Sequence, residues 1–243
     1  MTATRNTWAI VLAGGSGARM GAPVNKVLLP IGGKPALART LGAFAQAGLP
    51  VVLVARAQDL MTLRKLIRHA RLPMPRFATG GNTRQASVRA GLNALPADVE
   101  LVLVHDGARA LVTPELIARV LDSVHARGNG VAAVPLTDTV KRVGPEGRVA
   151  ATLERDGLFA MQTPQGFRVR DLRVAHERAA LDGYLGTDDA ALLEHAGLPV
   201  FLCEGSRENI KLTTPADLAL AKTILHQRRG RKQHARWPWY RRT

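Results

Sequence analysis

A glycine-rich turn flanked by two cations is the stretch of this chain with the clearest chemical potential. An apolar run at residues 9–12 is followed by the glycines Gly14, Gly15, Gly17 and Gly21 and by the cations Arg19 and Lys26. Glycine lets the backbone approach a ligand closely, and backbone N–H groups at the carboxyl end of a strand form a nest for anions. No Asp or Glu precedes Asp59, so we expect the early cations to lack acidic neighbours. The stretch therefore predicts the triphosphate half of a nucleotide site.

Two better-known glycine loops do not fit this turn. A P-loop requires Gly-Lys-Ser or Gly-Lys-Thr, and neither tripeptide occurs in the chain. The dinucleotide fingerprint requires a third glycine where Met20 stands, and a carboxylate about 20 residues further on. A cation within the turn instead suits a nucleotidyltransferase, which must neutralise charge that develops on an attacked phosphate. A turn with only a structural role is the alternative.

Two further motifs place polar side chains where parallel strands end. Residues 80–88, GGNTRQASV, predict a glycine turn and a capped helix on which Arg84 and Ser87 share one face. The apolar run at residues 101–105 leads directly into Asp106, at the edge where open α/β sheets bind ligands. A single carboxylate is enough for a Mg²⁺ ion that a triphosphate carries. His105 is expected to be a packed residue and not a zinc ligand.

Composition limits the remaining possibilities. The 243 residues, 46% of them hydrophobic, are enough for one large α/β domain, and two small domains are the alternative. No apolar run is long enough to span a membrane, and no secretory signal is evident, so we expect a cytoplasmic protein. The single cysteine, Cys203, excludes an internal disulfide and is expected to be a buried strand residue.

The net charge of +15 is concentrated at the carboxyl end. Residues 228–243 hold seven basic residues, no acidic residue, and the aromatic residues Trp237, Trp239 and Tyr240. Such a segment could bind RNA through phosphates and stacking, or an acidic membrane surface. The favoured expectation is a solvated, disordered tail without a specific partner.

Alternating strand and helix patterns predict a doubly wound, mostly parallel sheet. Strands are expected at residues 51–54, 101–105, 130–135 and 200–203, a compact turn at 162–167, and a final helix at 215–227. Two β-rich runs within residues 137–153 surround a Pro/Gly turn and predict a projecting hairpin. A hairpin that projects cannot bury both faces alone, so it predicts a partner subunit.

The chain resembles the 2-C-methyl-D-erythritol 4-phosphate cytidylyltransferase family of the non-mevalonate isoprenoid pathway. The resemblance covers roughly residues 8–227, and it rests on seven motifs in order: AGGSGARMG…NK, GGNTRQASV, VHDGAR, TDTVKR, RDGL…QTPQGF, TDDA and ENIKLTTPADL. It implies a Rossmann-like α/β domain at residues 1–227, with a β-arm at about 137–153 that joins two subunits into a homodimer. It also implies CTP and a polyol phosphate as substrates, with Mg²⁺ as the metal.

The resemblance also implies roles for individual residues. The cytidine would be held by Ala13, Gly14, Gly15, Gly81, Asn82 and Ser87, beside Gly17 and Arg84 of the same nucleotide site. Arg19 and Lys26 would bind the phosphates and stabilise the transition state, and Asp106 would orient the acceptor or its metal shell. The acceptor would be bound by Arg109, Lys211 and Thr163, with Thr139 and Arg155 reaching in from the partner.

Two alternatives remain at this stage. A ribitol 5-phosphate cytidylyltransferase would share the fold and the CTP half of the site. A nucleic-acid-binding protein that uses the basic tail belongs to a different functional class. The chain also departs from the family pattern, since Leu12-Ala13-Gly14-Gly15 replaces Pro-Ala-Ala-Gly, and Ala110 stands where proline is usual.

Overall fold

The computed structural model describes residues 6–15 and 25–234, with side chains up to residue 230. A seven-stranded sheet with the order β11-β7-β10-β6-β1-β4-β5 forms its centre. Strand β10 runs antiparallel to both of its neighbours, and the other pairings are parallel. This confirms the predicted mostly parallel α/β sheet.

The strands and helices alternate along most of the chain. The strands are β1 Thr7–Leu12, β2 Pro30–Ile31, β3 Lys34–Pro35, β4 Val51–Ala55, β5 Arg76–Thr79, β6 Leu101–Asp106, β7 Asn129–Pro135, β8 Lys141–Val143, β9 Val149–Thr152, β10 Phe159–Arg168 and β11 Leu202–Glu204. The helices are α1 Ala36–Gln46, α2 Leu60–His69, α3 Arg84–Asn93, α4 Pro114–Arg127, α5 Val169–Leu181, α6 Asp189–His195 and α7 Pro215–His234.

Both faces of the sheet are covered, as the alternation within its strands requires. Ala9 and Val11 of β1 face α1, α2 and α4, whereas Ile10 faces α3, α5 and α6. Every residue of β4 is buried, which is typical of a central parallel strand covered on two sides. A third, smaller cluster packs Ile31 and α7 against the segment after β6, including Leu111. The carboxyl ends of β1, β4 and β6 are therefore held as one rigid edge.

Some predicted elements are wrong in detail. Residues 162–167 are not a compact turn but the middle of β10, which contains a register shift and a cis Thr163–Pro164 peptide. Strand β5 at the sheet edge was not predicted. The final helix continues beyond residue 227 to His234, so the first residues of the expected disordered tail are helical.

The predicted hairpin is present as a separate two-stranded sheet, in which β8 pairs antiparallel with β9. It exposes more than half of the Val143 and Val149 surfaces, at 55% and 53%. These apolar side chains stand apart from the main sheet, as a projecting arm requires.

Candidate active site

An open cavity of about 300 Å³ lies at the carboxyl ends of β1, β4 and β6. Its lining includes most of the predicted site residues that the structure describes: Gly14, Gly15, Lys26, Gly81, Asn82, Arg84, Ser87, Asp106 and Lys211. These residues come from distant parts of the chain and meet because parallel strands end at the same edge. Arg19 and Gly17 lie outside the described residues.

The described part of the glycine turn forms the floor beneath Lys26. A Cβ atom on Gly15 would lie 3.3 Å from Lys26 Cε, so a side chain at residue 15 would crowd the lysine. Ala13 is buried, and its N–H donates to Val54 O at 2.7 Å. The buried Asn25 donates from Nδ2 to Ala13 O at 2.6 Å and so holds the returning chain against the strand end. Lys26 is thereby positioned over the backbone that leaves β1.

Asp106 is the one carboxylate that lines the cavity among the described residues. Its Oδ2 lies 2.7 Å from Lys211 Nζ, and its Oδ1 lies 3.5 Å from Arg84 Nε. Burial alone would raise the pKa of the Asp106 carboxyl, but Lys211 and Arg84 hold that pKa well below its usual range. The group is therefore an anion at neutral pH, and it fixes the Lys211 ammonium at the cavity wall.

Arg84 joins the cavity to helix α6. Its Nη2 donates to Oδ2 of the fully buried Asp189 at 2.7 Å, while its Nε approaches Asp106. Burial lowers the pKa of Arg84, but the two carboxylates outweigh it and raise the pKa above its ordinary value. Arg84 is therefore a fixed cation whose charge is largely neutralised by Asp106 and Asp189. Its main effect is to hold the cavity wall in place, and it adds little net positive charge.

The start of α3 forms the opposite wall. Thr83 accepts a hydrogen bond from Ala86 N at 3.0 Å, so the helix is capped as predicted. Ser87 Oγ donates to Thr83 O at 2.9 Å, so its hydroxyl also stabilises the first turn. Gly80 and Gly81 pack tightly against this turn, because Cβ atoms there would lie 2.9 Å from Ser87 Oγ and 2.6 Å from Ala86 Cβ. The helix N-terminus is thus held open to the cavity.

A hydrogen-bonded chain beneath the cavity fixes the segment from Asp106 to Arg109. His105 Nε2 lies 3.2 Å from Arg109 O, which only accepts, so Nε2 carries the proton. His105 Nδ1 then accepts from the Thr163 hydroxyl at 3.1 Å, and Thr163 Oγ1 accepts from Asp106 N at 3.0 Å. Burial lowers the pKa of His105 to about 4, so the ring is neutral and this order of protons holds at neutral pH. His105 is a packed residue, as predicted.

Thr163 and Arg109 are not among the residues that line the cavity of the single chain, and their implied binding of the acceptor stays a prediction. Thr163 is only 4% exposed and lies below the cavity wall, where its hydroxyl supports Asp106. Arg109 donates from Nη1 to Asn209 O at 2.8 Å, and its charge acts on the Asp106 carboxylate that lines the cavity. Burial lowers the pKa of Arg109, and the charge of Asp106 opposes this shift while that of Arg84 adds to it.

Arg155 and Thr139 lie at the arm and do not line the cavity of their own chain. Both are exposed, and Arg155 donates from Nη1 to Thr137 O. Their placement is compatible with the prediction that they reach another subunit's site, which the single chain does not test.

Several residues at the site were not identified from the sequence. Arg56 lines the cavity and pairs with Asp59 at 2.8 Å, so the expectation that the early cations lack acidic neighbours is wrong for Arg56. Asp189 and Gln165 were missed as supports because their partners, Arg84 and Asp188, are distant in sequence. The Asp188-Asp189 pair at the start of α6 is the signal that could have pointed to them.

Beyond the site itself, the described residues hold no cluster of three or more His, Cys, Asp or Glu side chains suited to a metal ion. No helix in the described part of the chain is both long and apolar enough to cross a bilayer. Cys203 is half-buried in β11, close to the prediction, and burial raises the pKa of its thiol.

Comparisons with known proteins agree with the fold and the cavity. A cytidylyltransferase of Thermosynechococcus vestitus named for 2-C-methyl-D-erythritol 4-phosphate is 48% identical over 227 residues, covering 92% of this chain and 97% of that protein. The Prochlorococcus marinus protein of the same name is 44% identical and covers 89% of this chain and 96% of that protein.

Solved structures give the same result. The 4-diphosphocytidyl-2C-methyl-D-erythritol synthase of Anaerococcus prevotii superposes with a TM-score of 0.81 at 28% identity, over 92% of this chain and 100% of that one. The 2-C-methyl-D-erythritol 4-phosphate cytidylyltransferase of Thermus thermophilus gives a TM-score of 0.74 at 34% identity, over 90% and 99% of the two chains. The family model for 2-C-methyl-D-erythritol 4-phosphate cytidylyltransferase matches residues 7–227. The chain therefore belongs to the 2-C-methyl-D-erythritol 4-phosphate cytidylyltransferase family.

Proposed function

We propose that the cavity around Lys26 and Asp106 is where this chain transfers the cytidylyl group of CTP to 2-C-methyl-D-erythritol 4-phosphate. The products are 4-diphosphocytidyl-2-C-methyl-D-erythritol, an isoprenoid precursor, and pyrophosphate. The observation that carries this proposal is the meeting of Lys26, the glycine turn, the N-terminus of α3 and the Asp106–Lys211 pair in one cavity. Lys26, the glycine turn and the N-terminus of α3 would bind the triphosphate, and the Asp106–Lys211 pair would orient the acceptor.

In this proposal, the reaction is a single in-line displacement. An oxygen of the acceptor's phosphate attacks the α-phosphorus of CTP, and the bond to pyrophosphate breaks. The acceptor phosphate is already ionised at neutral pH, so a general base adds little. Lys26, together with Arg19, would stabilise the charge that develops on the α-phosphate. Lys211, held by Asp106, would position the acceptor phosphate for attack.

A magnesium ion fits this site only as a companion of the triphosphate. Asp106 Oδ2 is engaged by Lys211, whereas Oδ1 is 3.5 Å from Arg84 Nε, beyond a short hydrogen bond. Asp106 would therefore offer one carboxylate oxygen, and phosphates and waters would supply the remaining ligands. When bound, the ion would neutralise phosphate charge.

We also propose that the protein is a cytoplasmic homodimer joined by the arm of β8 and β9. The exposed Val143 and Val149 provide an apolar surface on a hairpin that is too small to be stable alone. Burial against a second arm would cover them and bring the partner's Thr139 and Arg155 to the acceptor. The cytoplasmic location rests on the single cysteine and the absence of a spanning helix from the described residues.

The direct test is to measure pyrophosphate release with each of the four nucleoside triphosphates and a panel of polyol phosphates. Release only with CTP and 2-C-methyl-D-erythritol 4-phosphate supports the proposal. Preferred release with ribitol 5-phosphate would replace it with the ribitol alternative, and no release with CTP would reject both.

The nucleic-acid alternative rests only on the basic carboxyl end. Arg228 belongs to the fold, because it pairs with Glu208 at 2.7 Å and donates to Leu111 O at 2.9 Å. A truncation should therefore begin after His234. Unchanged turnover in the truncated protein is the result expected of an enzyme.

A further inference from the structure

A second cationic groove lies between the β2–β3 turn and helix α7, away from the active site. It is lined by Pro30, Gly32, Gly33, Lys222, Leu225, His226 and Arg229, and none of these residues lines the cavity around Asp106. We call it the α7 groove. Its volume of about 400 Å³ is large enough for a small polar ligand.

Two arginines converge on one point of this groove. A Cβ atom on Gly32 would lie 3.2 Å from Arg39 Nη2 and 3.8 Å from Arg229 Nη2. Arg39 is held there because its Nε donates to Ile31 O at 2.7 Å and its Nη2 donates to Gly32 O at 2.9 Å. Two guanidinium groups of different elements thus approach the same point beside Gly32, with Leu225 Cδ1 at 3.5 Å from that point.

The charge of the groove is not compensated within the described residues. Arg39, Lys222 and Arg229 form no ion pair there, whereas Arg228, the neighbour of Arg229, pairs with Glu208. Burial and then the charge of Arg229 lower the pKa of Arg39, as expected for a cation beside another cation. The repulsion is a cost in the free protein that a bound anion would relieve.

We propose that the α7 groove binds a phosphoryl group between the side chains of Arg39 and Arg229. Three uncompensated cations favour an anion with at least two charges over a simple carboxylate. The planar guanidinium group matches phosphate oxygens in pairs, which a lysine-only surface would not do. The phosphoryl group belongs either to a free phosphate compound or to a nucleic acid, to which the basic residues of the carboxyl end would also be attracted.

The Arg39 side chain itself provides the readout. Its Nε–H is hydrogen-bonded, so its ¹H–¹⁵N signal can be followed by NMR and assigned by its loss in Arg39→Lys. Inorganic phosphate is titrated at constant ionic strength against chloride. We expect a saturable movement of this signal with phosphate and none with chloride.

Matched variants distinguish phosphate binding at a specific site from a general effect of the protein's positive charge. Arg229→Gln should weaken phosphate binding about tenfold, the usual effect of losing a charge-assisted hydrogen bond. Lys222→Gln should weaken it several-fold. Arg68→Gln removes the same charge from exposed α2 and should change nothing, and Lys26→Gln should also leave the Arg39 response intact because the active cavity is separate.

A comparison of RNA with inorganic phosphate identifies the source of the phosphoryl group. If a short single-stranded RNA moves the Arg39 signal at far lower concentration than phosphate, and Arg229→Gln weakens this response, the source is a nucleic acid. If RNA acts no better than phosphate, the source is a free phosphate compound. The proposal is overturned if phosphate leaves the signal unmoved, if chloride moves it equally, or if the Arg229→Gln and Arg68→Gln proteins respond alike.

Discussion

At the scale of single residues, the site depends on polar atoms that never reach its surface. The Thr163 hydroxyl accepts a hydrogen bond from Asp106 N and donates one to His105 Nδ1, and His105 Nε2 donates to Arg109 O. The family resemblance assigned Thr163 to the substrate, and the burial of its hydroxyl was not foreseen because the register of β10 cannot be deduced from residue type. Asp106 was identifiable because it ends a predicted strand, and Lys26 because it stands beside the glycine turn, whereas Lys211 was assigned through the family resemblance.

Replacing Thr163 with valine tests this buried chain. The shape is conserved, but Asp106 N–H and His105 Nδ1 lose their partner, so we expect the free energy of unfolding to fall by about 1–3 kcal/mol. Urea denaturation at pH 7 provides the measurement. Thr163→Ser keeps the hydroxyl and should recover much of the loss. Equal destabilisation by valine and serine would show that the methyl group, and not the hydroxyl, matters.

Two buried histidines predict how stability depends on pH. Burial lowers the pKa of both His105 and His176 to about 4, compared with 6.5 for a free histidine. Between these values the unfolded chain binds protons that the folded chain does not. Stability is therefore fully present above pH 6.5 and is lost as the pH falls towards 4, by about 1.4 kcal/mol per pH unit for each histidine.

Substituting His176 with glutamine separates the two contributions. His176→Gln should remove about 1.4 kcal/mol per pH unit from the slope of unfolding free energy in this range, whatever it does to stability at pH 7. Urea denaturation between pH 4.5 and 7 gives the slope, and His69→Gln on the exposed end of α2 is the control. A slope equal to that of the parent protein would contradict a buried, neutral His176.

At the scale of elements, local sequence patterns identified helices, but they missed strands whose position depends on pairing with distant parts of the chain. Helix α3 was predicted because its glycine turn and its Thr83 cap are local in the sequence. The antiparallel β10 was missed because its pairing with β6 and β7 brings together residues far apart in sequence. The extension of α7 was missed because its last turns are basic and carry no apolar pattern. One of those turns is anchored by the pair of Arg228 with Glu208, which lies outside the helix.

The start of α7 depends on one carboxylate. Asp217 Oδ2 accepts hydrogen bonds from Thr213 N at 2.8 Å and from Thr214 N at 2.7 Å. Thr214 Oγ1 in turn accepts a hydrogen bond from Asp217 N at 3.4 Å. Asp217→Ala should lower the free energy of unfolding by about 1 kcal/mol, as for other lost helix caps. Thermal denaturation with the exposed Asp98→Ala as control measures this. Equal midpoints in the two variants would contradict the capping role.

At the scale of the whole molecule, the proposed homodimer would divide each site between two subunits. The cavity of one chain contains the residues expected to bind CTP, whereas Arg155 and Thr139 lie on the arm, outside that cavity. Sequence could predict a protruding arm and hence a partner. The way two arms pack cannot be read from one chain, since residues such as Val143 are simply exposed in it.

Mixing two inactive proteins tests this division of the site. Lys26→Ala and Arg155→Ala are expected to be inactive alone. In a mixed dimer, one site would combine an intact Lys26 with the partner's intact Arg155. Co-refolding the two in equal amounts should restore about a quarter of the parent turnover, because half of random dimers are mixed and each holds one intact site. If Arg155 served its own subunit, no activity would return.

The central claim is that Lys26, held over the glycine turn, stabilises the transferring phosphate, and the turnover of Lys26→Ala tests it most directly. We measure pyrophosphate release with saturating CTP and 2-C-methyl-D-erythritol 4-phosphate, with Lys65→Ala on exposed α2 as the matched control. The account predicts that Lys26→Ala lowers turnover by about 100-fold or more while Lys65→Ala retains it. Turnover of Lys26→Ala close to that of the control would contradict the account.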